Sequence, residues 1–276
     1  MDCRQTDSLP SQDRIPDVLG HLRHLPRPVY GQERALPNQA IARPHRHPWV
    51  QFSYALQGVI EVRTRDGRFM APPQQAVWVP ATIEHGVRCS PDALIRSLYI
   101  EPSVLKNAPA ECKVVAVNSL LRELIRSFSA LPVLYGEHGP ESRLVAVLLD
   151  ELAAAPDSGL ILPWPRDERL QALCSSLQSE PGSQTRLYDF AARYDVSEKT
   201  LTRLFRQETG LSFRAWRQRL RIMSALPLLE RQERVTDVAL ACGYDSMSAF
   251  VASFRELMGE TPGEFLRAAA SSNAGL

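Results

Sequence analysis

The spacing of apolar residues changes twice along this chain, and each change marks a different architecture. From Val29 to about Pro102, short β-rich runs alternate with turns: Trp49–Leu56, Val59–Thr64, Ala76–Val79, Gly86–Cys89 and Ile95–Ile100. No helical stretch separates them, so they predict an antiparallel β-barrel or jelly roll, with Asp66-Gly67 as a hairpin turn between two strands. Over residues 112–155 the period becomes helical. Val117, Leu120, Leu121, Leu124, Ile125 and Phe128 share one stripe, and Leu144, Val147, Leu148 and Leu152 another. Pro132, Gly136, Gly139 and Pro140 break the pattern between them, which predicts a helical hairpin able to cover the barrel. Residues 1–28 are polar and proline-punctuated, a flexible tail. Residues 156–166, running through Pro163-Trp-Pro165, read as a stiff linker.

The remainder, residues 167–268, contains one pattern twice. Asp189 and Ala191 recur 48 positions later as Asp237 and Ala239, whereas Ser197, Leu201, Phe205 and Gly210 recur 49 positions later as Ser246, Phe250, Phe254 and Gly259. One extra residue in the second turn accounts for the change. In each copy a small alanine stands where a second helix must cross closely, and a serine stands where an N-cap oxygen is needed. Leu201, Leu204 and Phe205, then Phe250, Phe254 and Leu257, form a buried stripe, and a glycine follows as a C′ residue would. Each unit is therefore a helix-turn-helix, whose second helix presents its outward face to a DNA major groove. Paired amphipathic helices of an ordinary core are the bland alternative, and the duplication of caps, alanines and glycine stops argues against it.

The second copy carries the most specific stretch: Val238-Ala-x-x-Cys242-Gly-Tyr-x-Ser246-x-Ser-x-Phe250-x-x-x-Phe254-Arg-x-x-x-Gly259-x-Thr-Pro262. With it, residues 167–268 resemble the AraC/XylS-type DNA-binding domain. The resemblance implies seven helices, two helix-turn-helix units joined by a long helix from Phe213 to about Glu230, binding to direct repeats in promoter DNA, and contact with RNA polymerase. It leans toward activation rather than repression.

The outward positions of the first unit are Lys199, Thr202, Arg203 and Arg206. Arg203 has the planar fork that pairs with guanine O6 and N7, Lys199 is a point donor, and Arg206, nearer the helix end, suits phosphate. The second unit offers Ser246, Met247, Ser248, Val251 and Ala252. Ser248 can hydrogen-bond, and Val251 or Ala252 can pack on a thymine methyl. The family often has a long polar or basic side chain where Ala252 stands, so base discrimination is expected mainly from the first unit. In the joining helix, Arg214, Arg217, Arg219 and Arg221 are expected either on the DNA backbone or paired with Glu208, Glu230 or Glu233, and Pro227 predicts a kink or an end near Leu226.

The front half carries its own chemistry. His45, His47 and Gln51 share parity and would point to one face of an extended strand, unless Pro48 breaks the alternation; His85 follows on a later strand. The runs His45-x-His47-x3-Gln51-x6-Gly58 and Pro80-x-Thr82-x2-His85 resemble the two cupin motifs, in which two histidines, a carboxylate and a later histidine surround a metal. The chain departs from them: Gln51 replaces the usual Glu, Thr82 replaces a turn glycine, and the leading glycine is missing. His45, His47 and His85 are therefore candidate ligands for zinc or a similar divalent ion. The competing reading is an effector pocket without metal, lined by His45, His47, Gln51, Tyr54, Trp78 and His85, with Glu84 as a further polar contact.

Composition narrows the choice. A net charge of +1 gives no global field toward nucleic acid, so DNA binding must come from locally placed Arg and Lys. Cys3, Cys89, Cys112, Cys174 and Cys242 form no C-x-x-C pair, which fits reduced thiols in a cytoplasmic protein. No leader is read at the start, and no apolar run approaches the roughly 18 residues of a membrane span. The expected fold class is α+β and multidomain: a cupin-like β-barrel (jelly roll) at 29–111, a dimerising helical hairpin at 112–155, and an all-α domain of two helix-turn-helix units at 167–268, followed by a tail at 269–276. The expected function is a homodimeric, effector-responsive transcription regulator with no catalytic residues. A metal-dependent cupin enzyme fused to a DNA-binding domain is the alternative.

Overall fold

The computed structural model describes residues 22–32, 41–90, 93–106, 108–194 and 196–273; the expected tail at 1–28 lies almost wholly outside them. Among the described residues the first half is built of nine short strands: β1 (Val29–Tyr30), β2 (Val50–Gln57), β3 (Ile60–Thr64), β4 (Gly67–Ala71), β5 (Gln75–Val79), β6 (His85–Cys89), β7 (Leu94–Ile100), β8 (Lys113–Ala116) and β9 (Ile161–Pro163). They form two antiparallel sheets, ordered β1-β7-β2-β5-β8 and β6-β3-β4-β9, which face each other as a jelly-roll sandwich. Asp66-Gly67 turns the β3–β4 hairpin, as its composition requires.

Period-two alternation sorts the larger sheet into two faces. Gln51, Ser53, Ala55, Val77 and Val79 turn inward, where the apolar ones meet Ile60, Val62, Phe69 and Val87 of the other sheet. Val50, Phe52, Tyr54, Trp78, Leu98 and Ile100 turn outward, under the helical hairpin α1 (Ser119–Ser129) and α2 (Pro140–Ala154). Leu121, Ile125, Phe128, Leu148 and Leu152 close that second layer. The hairpin begins later than the expected residue 112, because Lys113–Ala116 pairs with β5 as strand β8.

The stretch expected as a linker is also structured. Ile161–Pro163 pairs with Gly67–Phe69 as β9, so the connection between the halves is hydrogen-bonded into the sensor's own sheet.

Among the described residues seven helices follow: α3 (Glu168–Ser179), α4 (Leu187–Arg193), α5 (Glu198–Thr209), α6 (Phe213–Glu230), α7 (Val235–Ala241), α8 (Met247–Met258) and α9 (Pro262–Asn273). The last extends past the expected boundary at 268. α6 runs unbroken through Pro227, contrary to the expected end near Leu226. Pro227 sits within the last turn, and Leu226 and Leu229 on either side of it are fully buried, so packing holds the helix where propensity would end it.

The two halves meet over a packed seam. Val59 of the sensor is buried among Ile222, Ala225, Leu226 and Leu229 of α6, and Arg68 lies 4.2 Å over the Trp164 ring. Trp216 Nε1 donates to Pro163 O (2.7 Å) and Arg219 to Ile161 O (2.9 Å), both on β9.

Candidate DNA interface and sensor cluster

Each helix-turn-helix unit is assembled by the features that repeat in the sequence. Ala191 and Ala239 are buried where α4 meets α5 and α7 meets α8. Ser197 Oγ accepts from Thr200 N (3.1 Å) and Ser246 Oγ from Ala249 N (3.2 Å), capping α5 and α8 identically. Gly210 (φ 71°) and Gly259 (φ 80°) end the two helices in the left-handed conformation that glycine reaches without penalty. Phe205 and Trp216 on one side, and Phe250 and Phe254 on the other, anchor the inner stripes.

This anchoring leaves the opposite faces in solvent. Lys199, Thr202, Arg203 and Arg206 line an open groove along α5. Met247, Ser248, Val251 and Ala252 line one along α8, with Val251 only partly exposed. Both sets of expected contact residues are thus displayed, the first basic and the second largely apolar. Ser246 stands at the start of its helix as the cap.

The arginines of α6 behave otherwise. Arg217 donates to the carbonyls of Thr185 and Ser183, Arg221 to Pro181 O, and Arg219 to Ile161 O. These three fasten the α3–α4 loop and β9 and are not offered to phosphate; nor do they pair with the expected glutamates. Glu208 instead accepts from the backbone N–H groups of Arg166 and Asp167, and Glu233 pairs with Arg231. Sequence reasoning overlooked buried carbonyls as competing partners for arginine.

In the sensor, His45 and His47 precede β2, the chain bending at Pro48, yet their rings still converge with His85. A bridge between His45 and His85 does this, with backbone bonds of 2.9 Å in both directions. Ligand atoms of all three lie within 4.8 Å of one another. Gln51 reaches the same point from β2. Tyr54 and Trp78 do not: odd spacing from Gln51 and Val79 sends them to the outer face beneath the hairpin, which corrects their assignment as pocket walls. Glu84, adjacent to His85, is exposed.

The proton positions follow from the partners. His47 Nδ1 lies 2.9 Å from Trp49 O, His85 Nδ1 2.8 Å from Ile83 O, and His45 Nδ1 3.1 Å from Arg43 O. A carbonyl only accepts, so Nδ1 carries the proton in each ring, and in a neutral ring Nε2 is left as a bare lone pair. Burial favours the neutral forms, lowering His47 and holding His85 down to about 4. The Nε2 atoms of His47 and His85 lie 2.9 and 3.0 Å from one end of the Gln51 amide, whose other end meets Ser53 Oγ and, beyond it, Ser97 Oγ. Two arrangements satisfy these lone pairs. The amide NH2 can donate to both rings while its oxygen accepts from Ser53. Alternatively, a cation can take the three Nε2 atoms with the Gln51 oxygen as a fourth donor. Backbone-anchored Nδ1–H groups behind converging Nε2 atoms are the orientation a metal site requires, so the residues fit a divalent ion.

Residues 28–154 match an AraC-like ligand binding domain, and residues 190–268 a helix-turn-helix domain. The HTH-type transcriptional regulator NimR of Escherichia coli is 35% identical over 222 residues, covering 80% of this chain and 81% of its own. The HTH-type transcriptional activator RhaR of Yersinia pseudotuberculosis is 33% identical over 102 residues, or 37% of this chain and 35% of its own. The crystal structure of ToxT from Vibrio cholerae superimposes over 82% of this chain and 92% of its own, at 14% identity and a TM-score of 0.37. The relatives are named as regulators, and nothing among these matches favours the enzyme alternative.

Proposed function

The chain belongs to the AraC family of helix-turn-helix transcription regulators, and from that premise we propose that it acts in the cytoplasm as an effector-responsive homodimer that raises transcription through contact with RNA polymerase. The observation behind the DNA-binding part is the pair α5 and α8, identically capped, glycine-stopped and exposed on one face, and joined by the buried helix α6. Two such helices suit successive major grooves about one helical turn (~34 Å) apart. Activation follows the naming of RhaR as an activator. In support of the homodimer, the α1–α2 hairpin leaves Leu120 and Val147 exposed at 53% and 45%. Among the described residues no helix is long and apolar enough to cross a membrane.

In the sensor, His45, His47 and His85, with Gln51 beside them, would hold zinc or a similar divalent ion through Nε2. Such an ion supplies a fixed positive charge inside the sandwich, able to anchor an anionic group of an effector. The protein's own part is to fix three imidazoles by their Nδ1–H groups and to pack Trp49 and Tyr99 against the His47 ring.

Chromatin immunoprecipitation of the native protein tests the proposal. Discrete promoter peaks sharing a two-part motif, with lower expression of the neighbouring genes on deletion, are expected. Peaks without a common motif would refute sequence-specific regulation, and raised expression on deletion would refute activation.

A further inference from the structure

The outward faces of α5 and α8 differ in chemistry far more than two copies of one unit need to. On α5, Lys199, Arg203 and Arg206 supply donors along the whole groove. The first two turns of α8 contain neither Lys nor Arg. Arg255 lies in its last turn, away from the N-terminal residues that meet base edges in this motif. Glu256 accepts from Gln218 Nε2 (3.0 Å), and Ser246 Oγ accepts at the cap. Ser248 remains as the polar contact, between Met247, which is 50% exposed, and the aliphatic pair Val251 and Ala252.

Guanine and adenine offer acceptors in the major groove that reward an Arg, Lys or Asn donor, and a face that offers Ser248 in place of these can exploit few of them. The one apolar group the major groove presents is the 5-methyl of thymine. We propose that α8 recognises its half-site through thymine methyls packed on Met247, Val251 and Ala252, while α5 reads guanine through Arg203 and Lys199. The operator of each chain then has two unlike halves and is bound in a single direction. This rests on the DNA-binding reading above and adds to it the base chemistry of each half.

The test begins by selecting binding sites from random duplex DNA with the full chain. The half whose guanine preference relaxes in Arg203→Ala is assigned to α5. Each thymine of the other half is then replaced by deoxyuridine, which removes only the methyl group. Affinity is expected to fall about fourfold for each contacted methyl, from the transfer value of one buried carbon. The same replacement in the α5 half should have no effect. Met247→Ala combined with the nearly isosteric Val251→Thr should shrink the deoxyuridine penalty without abolishing it, because Ala252 and the threonine methyl still meet the base, with the folded state checked by circular dichroism. Deoxyuridine tolerated in both halves, or a guanine-defined motif opposite α8, would overturn the proposal. A half with phosphate protection but no base preference would overturn it too, leaving this apolar face to a protein partner. If no motif emerges from selection, the DNA-binding reading itself fails, a result distinct from a motif that ignores thymine methyls.

Discussion

The carboxylate of Glu230, at the last residue of α6, accepts the backbone N–H of Gly58 in the β2–β3 turn at 3.2 Å. One hydrogen bond thus joins the helix that spaces the two DNA-reading units to a turn of the sensor. Gly58 is held at φ 77°, and a Cβ there would lie 2.5 Å from Ser90 Oγ and 2.9 Å from Ala93 Cα, so the turn leaves no room for a side chain. The other Glu230 oxygen has no partner among the described residues.

Glu230 therefore makes the seam pH-dependent. Burial raises its pKa above the ordinary 4.5, a shift only partly offset by the Gly58 bond. A raised folded pKa means that stability is fully present while the group is protonated in both states, below about 4.5. It declines as pH rises through the folded value, because the unfolded chain ionises first. Glu230→Gln should remove this decline, so that thermal midpoints of variant and wild type converge near pH 4.5 and separate, variant higher, toward pH 7. A constant gap across that range would contradict the assignment.

Thr82 occupies a left-handed backbone conformation (φ 68°) where cupin-like motifs have glycine, and its N–H is held by His47 O at 2.8 Å. Left-handed geometry costs a β-branched residue roughly 1–2 kcal/mol, and glycine returns part of that as unfolded-state entropy. Thr82→Gly should stabilise the protein by about 0.5–1 kcal/mol in urea denaturation. A destabilised variant would mean that the Thr82 side chain contributes more than its backbone conformation costs.

Zinc should raise the thermal midpoint of the wild-type chain, because the three converged imidazoles bind it more tightly in the folded state than in the unfolded one. His47→Ala and His85→Ala should each abolish the increase. Gln51→Glu, which restores a carboxylate beside the imidazoles, should enlarge it. No shift in the wild type at saturating zinc would favour the arrangement in which the Gln51 amide donates to both rings.

On α5, Arg203→Ala should cost about 1–3 kcal/mol of operator affinity and relax preference at one base position, as loss of a bidentate guanine contact does. Arg206→Ala should weaken all sequences alike and reduce the salt slope by about 1. Gel shifts at several salt concentrations separate the two outcomes.

What the sequence disclosed and what it hid have physical causes. The helix-turn-helix units were legible because caps, small residues, apolar stripes and glycine stops are local features, and each lies where the repeat predicts it. The strands β2, β3, β5, β6 and β7 were legible from alternation. β8 and β9 were not: Lys113–Ala116 and Ile161–Pro163 are too short for a period to register, and they exist because a neighbouring strand offers free backbone groups. The convergence of His45, His47 and His85 was foreseen from motif spacing. Tyr54 was misplaced although its parity relative to Gln51 already pointed it away, whereas the face of Trp78 depends on the Gln51–Val79 register, which the sequence does not encode. The arginines of α6 were misread because their partners are carbonyls more than thirty residues distant, which no periodicity encodes.

Hydroxyl-radical footprinting of the full chain on a selected operator tests most directly whether both units dock on DNA. Two protected patches on one face of the duplex, about one helical turn (~34 Å) apart, are expected, with Arg203→Ala weakening one patch before the other. A single patch, or protection independent of sequence, would contradict a regulator that reads DNA with both α5 and α8.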